Sequence, residues 1–102
     1  MMVKSADITF NGSHFLVTGD LNFSNVMSVY QKSLLDADKC SELIFDFSQL
    51  NSSDSSGLAL IIEWIKLSKQ KNKPIKFTHL SQDIMSIAKA AGLDGMFNGK
   101  HN

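Results

Sequence analysis

Arginine is absent from the chain, and all ten strongly basic residues are lysine. Without guanidinium groups there is no planar fork to read guanine edges or clamp phosphates in two-point fashion, so nucleic acid is not an expected partner. Cysteine is nearly absent as well. Cys40 stands alone, which excludes a disulfide framework and a multi-cysteine metal site and fits a reducing compartment. No run approaches the roughly 20 apolar residues of a membrane span, and the opening MMVKSADITF lacks the apolar stretch of a secretory signal. A soluble, cytoplasmic protein is expected.

The machinery of common enzymes is missing too. No G-x-x-x-x-G-K-[ST] loop is present, so any ATP hydrolysis belongs to a partner. There is no G-x-S-x-G elbow. Ser55 and Asp54, adjacent in one segment, do not form a relay with His14, His79 or His101. These three histidines share no metal-ligand spacing. No catalytic residue, metal or cofactor is therefore expected, and the chain is read as a non-enzyme.

What remains is an ordinary globular composition. The 102 residues carry no net charge and are 43% hydrophobic, enough for a single core and too few for two. Residues 7–10 and 14–18 are rich in β-branched and aromatic side chains and flank Asn11-Gly12, the strongest short hairpin signal. Gly19-Asp20 is expected to end the second strand. Ser24 or Asn25 can cap a helix that places Val26, Val29, Tyr30, Ser33 and Leu34 on one face and ends near Ala37. The run ELIFDF at 42–47 reads as a strand covered on both faces. A polar loop, 48–53, precedes a helix over about 55–71, and Pro74 cannot continue it. Residues 75–79 form the next strand. Ser81 caps a last helix with Ile84, Ile87, Ala88 and Ala91 on one side, and Gly92 stops it. The order β-β-α-β-α-β-α gives an α/β fold, a mixed sheet with helices packed on it. The domain core is expected over 6–97, with Leu93, Met96 and Phe97 docking and a frayed tail over 98–102.

Polar residues are concentrated at the strand-to-helix junction, Asn51 to Ser56. Taken alone, this is capping chemistry: Asp54 or Ser53 accepts a bond from an unpaired backbone N–H. Ser55 and Ser56 fall in the first turn, where the helix dipole favours negative charge. A phosphate on Ser55 would gain from that dipole and be opposed by Asp54. The helix that follows has two apolar stripes. Leu58, Ile61, Ile62 and Ile65 form the expected core face; Leu60, Trp64 and Leu67 lie nearly opposite. The second stripe either packs on a neighbouring helix or receives a partner, with Trp64 as its anchor. The five lysines between Lys66 and Lys76 are read as a solvated helix end rather than a membrane-binding patch.

The run DSSGLAL (54–60), after ELIFDF and its loop, resembles the signature of STAS domains. The strand PIKFTH, the helix SQDIMSIAKAAGL and the closing Gly92-Leu93 are similar to that family's pattern, and the resemblance spans about 8–97. It implies a single STAS-like domain that binds a partner protein around the start of the second helix, through Ser53, Asp54, Ser55, Ser56 and Gly57 and, on this reading, Leu60, Trp64 and Leu67. Two branches place a Ser or Thr at the position of Ser55. In anti-sigma factor antagonists a partner kinase phosphorylates it. In Mla-type ABC transporters, which move phospholipids between the membranes of Gram-negative envelopes, the cytoplasmic STAS subunit binds and supports the ATPase subunit. Antagonists commonly continue Gly-Leu-Gly. This chain has Gly57-Leu58-Ala59-Leu60 and a following LIIEWIKLSKQKNKPIKF, which resemble the transporter branch. The implied role is a cytoplasmic accessory subunit that meets the membrane only through its complex, with the antagonist switched at Ser55 as the alternative.

Overall fold

The computed structural model describes residues 5–93. Two antiparallel strands open it, β1 (Asp7–Phe10) and β2 (Phe15–Leu21), with Phe10 opposite Phe15. The Asn11 side chain closes the connection by accepting from the Ser13 and His14 N–H groups at 2.9 and 2.7 Å. This is the usual way asparagine holds a turn. β2 does not end at Gly19-Asp20 as expected. Gly19 has a φ of +84°, and a Cβ there would stand 2.2 Å from the Ser5 carbonyl oxygen. The residue lets the chain's N-terminal segment cross close by while the strand runs on.

Helix α1 (Val26–Leu34) follows, then a 3-10 turn over Ala37–Lys39, so the helix stops one turn short of Ala37. Val29 and Ser33 point into the core, while Leu34 is largely outside. Lys32 reaches back 2.6 Å to Asp7. That ammonium, with help from the Ile8 N–H, holds the Asp7 carboxyl below the usual carboxylate range. Strand β3 (Leu43–Asp46) pairs in parallel with the start of β2 and with β5 (Ile75–Thr78). It is sealed on one face only: Leu43 and Phe45 are buried, whereas Ile44 and Asp46 are half-buried.

Residues 50–53, expected as loop, form a fourth strand. β4 (Leu50–Ser53) runs parallel to the end of β2, with a register shift between Gly19 and Asp20. The sheet order is β1-β2-β3-β5, with β4 on β2. Helix α2 (Ser56–Lys71) ends at Asn72 in the left-handed conformation, and α3 (Gln82–Ala90) is capped by the Ser81 hydroxyl accepting from the Ile84 N–H. Past α3, the Leu93 N–H returns to the Ala88 carbonyl at 2.8 Å, so Gly92 is the stop expected. Met96, Phe97 and the tail lie outside the described residues.

All three helices feed one core cluster, through Val29 of α1, Trp64 of α2 and Ile84 of α3, so they cover the same face of the sheet. The centre is aromatic. Phe45 stacks on Trp64 with ring centroids 3.9 Å apart, on Phe15 at 4.9 Å and on Phe77 at 5.8 Å. Such aromatic contacts add to the burial of large apolar surfaces.

Candidate functional site: the N-terminal corner of α2

The corner between β4 and α2 is built from polar side chains that bond to one another and to β2. The Asp20 carboxylate accepts from Asn51 Nδ2 and Ser52 Oγ, both at 2.7 Å. The Asp54 N–H donates to the Leu21 carbonyl at 3.3 Å. This anchorage gives a polar segment its strand geometry and fixes where α2 begins.

Within the corner, the Asp54 carboxylate accepts the Ser56 N–H at 2.8 Å and the Ser56 hydroxyl as well. Asp54 is thus the acceptor that capping chemistry calls for. Ser53 is not: its hydroxyl donates to the Asp54 carbonyl at 2.8 Å, and the residue at the helix boundary is Ser55. The Gly57 N–H goes to the Asp54 carbonyl at 3.0 Å and the Leu58 N–H to the Ser55 carbonyl at 3.2 Å. The first-turn donors of α2 are therefore largely occupied. The Ser55 side chain makes no capping bond and is exposed, whereas Ser56 and Gly57 are buried. A Cβ on Gly57 would fall 2.0 Å from Ser53 Oγ, so only glycine lets Ser53 rest on the helix.

The eight residues named from the sequence do not share one surface. Asp54 and Ser55 are exposed, Ser53 is half-buried, and Ser56 and Gly57 sit beneath them. Leu60, Trp64 and Leu67 are 3%, 0% and 5% exposed, which corrects their assignment to a docking ridge. α2 lies between α1 and α3 on the sheet, so it needs apolar side chains on more than one side. The Trp64 indole stacks on Phe45 and donates from Nε1 to Ser33 Oγ of α1 at 2.9 Å. The neighbouring-helix explanation of the second stripe is the one that holds.

The outward face of α2 carries Ser55, Ala59, Glu63, Lys66 and Gln70, all exposed, at spacings of four, four, three and four residues. Beside it runs an open groove of about 370 Å³, lined by Val26, Met27 and Tyr30 of α1 and by Ala59, Leu60 and Glu63 of α2. Phe23, in the turn before α1, is 79% exposed, and Met27, the second residue of the helix, is 60% exposed. The lysine run is on the far end of α2: Lys71 pairs with Asp38 at 2.6 Å and Lys73 donates to the Ala37 carbonyl at 2.6 Å. His79 is a surface residue whose Nδ1 lies 3.1 Å from Asp46. Among the described residues no group of three His, Cys, Asp or Glu side chains is placed to hold a metal ion, and no helix is long and apolar enough to cross a membrane.

The geometry meets known proteins at this point. No curated protein sequence matches the chain significantly. The fold is similar to a structure of the anti-sigma factor antagonist SpoIIAA in its unphosphorylated form, with a TM-score of 0.69, 15% identity, and coverage of 91% of this chain and 85% of that one. It is also similar to the Bacillus cell fate determinant SpoIIAA in the phosphorylated form, with a TM-score of 0.66, 15% identity, and coverage of 91% and 88%. A family model described as "Mlab, STAS domain" matches residues 5–98. The chain belongs to the STAS-domain family.

Proposed function

We propose that this domain is a protein-docking adaptor whose contact point is the exposed Ser55 corner. Its partner is the ATPase subunit of an ABC-type phospholipid transporter that maintains outer-membrane lipid asymmetry. The observation that carries the docking role is the corner itself: Ser55 is presented to solvent on a helix start held by Asp54 and, through β4, by Asp20. Such a platform costs a partner little ordering entropy, because its own groups are already fixed. The family description carries the choice of partner. In this role the adaptor supplies binding and the partner supplies the chemistry. It sits at the inner face of the inner membrane through its complex.

A second reading has its own support, the likeness to SpoIIAA in both phosphorylation states. Here the domain is an anti-sigma factor antagonist that a kinase switches at Ser55. A phosphate at Ser55 would find the first-turn N–H groups already bonded and the Asp54 carboxylate next to it. It would project into solvent and act on the partner by charge and bulk, leaving the fold as it is.

Affinity purification from the native cell, with the bound proteins identified by mass spectrometry, separates the two. The transporter reading expects an ABC ATPase together with a membrane permease. The antagonist reading expects a small soluble kinase that adds one phosphate to Ser55 in the presence of ATP. An eluate that holds neither set of proteins would contradict both readings.

A further inference from the structure

Resting on the docking role just proposed, we infer that Asp20 is a positioning residue for the Ser55 corner. Its carboxylate pins the register of β4 and thereby sets the affinity for the partner. The need for a pin comes from the sequence of β4, Leu50-Asn51-Ser52-Ser53. The pairing with β2 is irregular: Gly19 is opposite Leu50, Asp20 opposite Ser52 and Leu21 opposite Ser53. Asn51 is thus the extra residue of a bulge, with no residue of β2 opposite it. Leu50, the one apolar side chain of β4, lies before the bulge, and the two residues after it are both serine. A strand this polar specifies its register weakly, because a slip moves no apolar side chain out of a core. Among the described strands β4 pairs only with β2, so no second neighbour corrects it.

Asp20 supplies what the strand lacks. A single oxygen of its carboxylate, Oδ1, accepts from Asn51 Nδ2 and from Ser52 Oγ, both at 2.7 Å. It therefore grips the bulged residue and the one after it together. Asp20 is itself held from the other side. Its carbonyl accepts from Asn25 Nδ2 at 2.8 Å, and Asn25 Oδ1 accepts the Asn22 N–H at 3.0 Å, so the start of α1 fixes the pin independently of β4. Past the bulge, the Asp54 N–H reaches the Leu21 carbonyl only at 3.3 Å, and α2 begins at Ser56. A slip of one residue would shift the chain by about 3.3 Å and turn each side chain to the opposite face. It would carry Asp54 away from Leu21 and Ser55 out of its presented position. Without the pin, a partner must order the corner as it binds, which lowers affinity although Asp20 makes no contact with the partner.

The full chain tests this in two steps, the first without any partner. Asp20→Ala removes the acceptor. The pair Asn51→Ala and Ser52→Ala, both at exposed positions, removes the donors and leaves Asp20 with everything else it touches. Amide hydrogen exchange of the free chain should quicken by about tenfold over 50–57 in either variant, while the amides of β3 and the middle of α2 keep their protection. Asp20→Asn, which still offers Oδ1 as an acceptor, should restore most of the protection. Adding Asp20→Ala to the Asn51 and Ser52 pair should add little, since all three changes break one contact. In the second step the protein that co-purifies with the chain is titrated against each variant. Its affinity should fall about fivefold or more for Asp20→Ala and for the Asn51 and Ser52 pair, and recover with Asp20→Asn. Unchanged exchange over 50–57, additive losses in the combined variant, or quickened exchange with undiminished affinity would each overturn the inference. The Ser55→Arg variant, titrated alongside, tells the two failures apart: it still abolishes binding when only the pin is wrong, and binds normally when the docking role is wrong.

Discussion

Replacing Trp64 with alanine should unfold most of the domain's stability margin, with a loss of about 3–5 kcal/mol. Trp64 is fully buried, stacks on Phe45 at 3.9 Å and is within 6.2 Å of Phe47. Its removal empties the place where sheet, α1 and α2 meet. The Ser33 hydroxyl loses the indole N–H as a donor but keeps its own bond to the Tyr30 carbonyl, so the loss is mainly one of packing. Small domains hold about 5–15 kcal/mol in all, and a cost of this size consumes a large share. Trp64→Phe should cost less, since it keeps an aromatic ring against Phe45. The denaturant midpoint of each variant checks this. A Trp64→Ala protein as stable as the parent would contradict the packing described here and return the residue to the surface.

The second large effect is on binding, with the fold spared. Ser55→Arg should abolish recovery of the partner in a pulldown while moving the unfolding free energy by no more than about 0.5–1 kcal/mol. The small stability term follows from what Ser55 does in the helix. Its carbonyl receives the Leu58 N–H, which any side chain permits, and its hydroxyl supplies no cap. An arginine beside the helix start opposes the dipole, and the adjacent Asp54 carboxylate offsets part of that. The binding term follows from bulk and a new positive charge placed at an exposed corner. Normal recovery of the partner by a folded Ser55→Arg variant would remove this corner from the interface.

Much of the fold was legible because local chemistry and tertiary role agree. Asn11-Gly12 lies between paired strands, Ser81 caps α3, and Gly92 stops it. The failures occurred where the deciding partner is distant in sequence. Residues 50–53 read as loop because nothing in Leu-Asn-Ser-Ser favours a strand; Asp20, some thirty residues earlier, takes the Asn51 and Ser52 side chains and makes them one. The stripe of Leu60, Trp64 and Leu67 was correctly seen as apolar. Periodicity reports that a face is apolar and is silent on what covers it, and here neighbouring elements of the same chain do. The reverse holds for Phe23 and Met27, which remain exposed because no described element lies over them. Ser55 was identified through the DSSGLAL resemblance, and capping chemistry alone would have left it unremarkable.

The central claim is that partners meet this domain at the start of α2. Hydrogen–deuterium exchange of the chain, free and bound to the protein it co-purifies with, reads this directly. Added protection should fall on peptides covering 53–63, while those covering 66–78 exchange as in the free domain. Protection centred on the lysine-bearing end of α2 or on the outer strands, with the Ser55 region unchanged, would contradict the account.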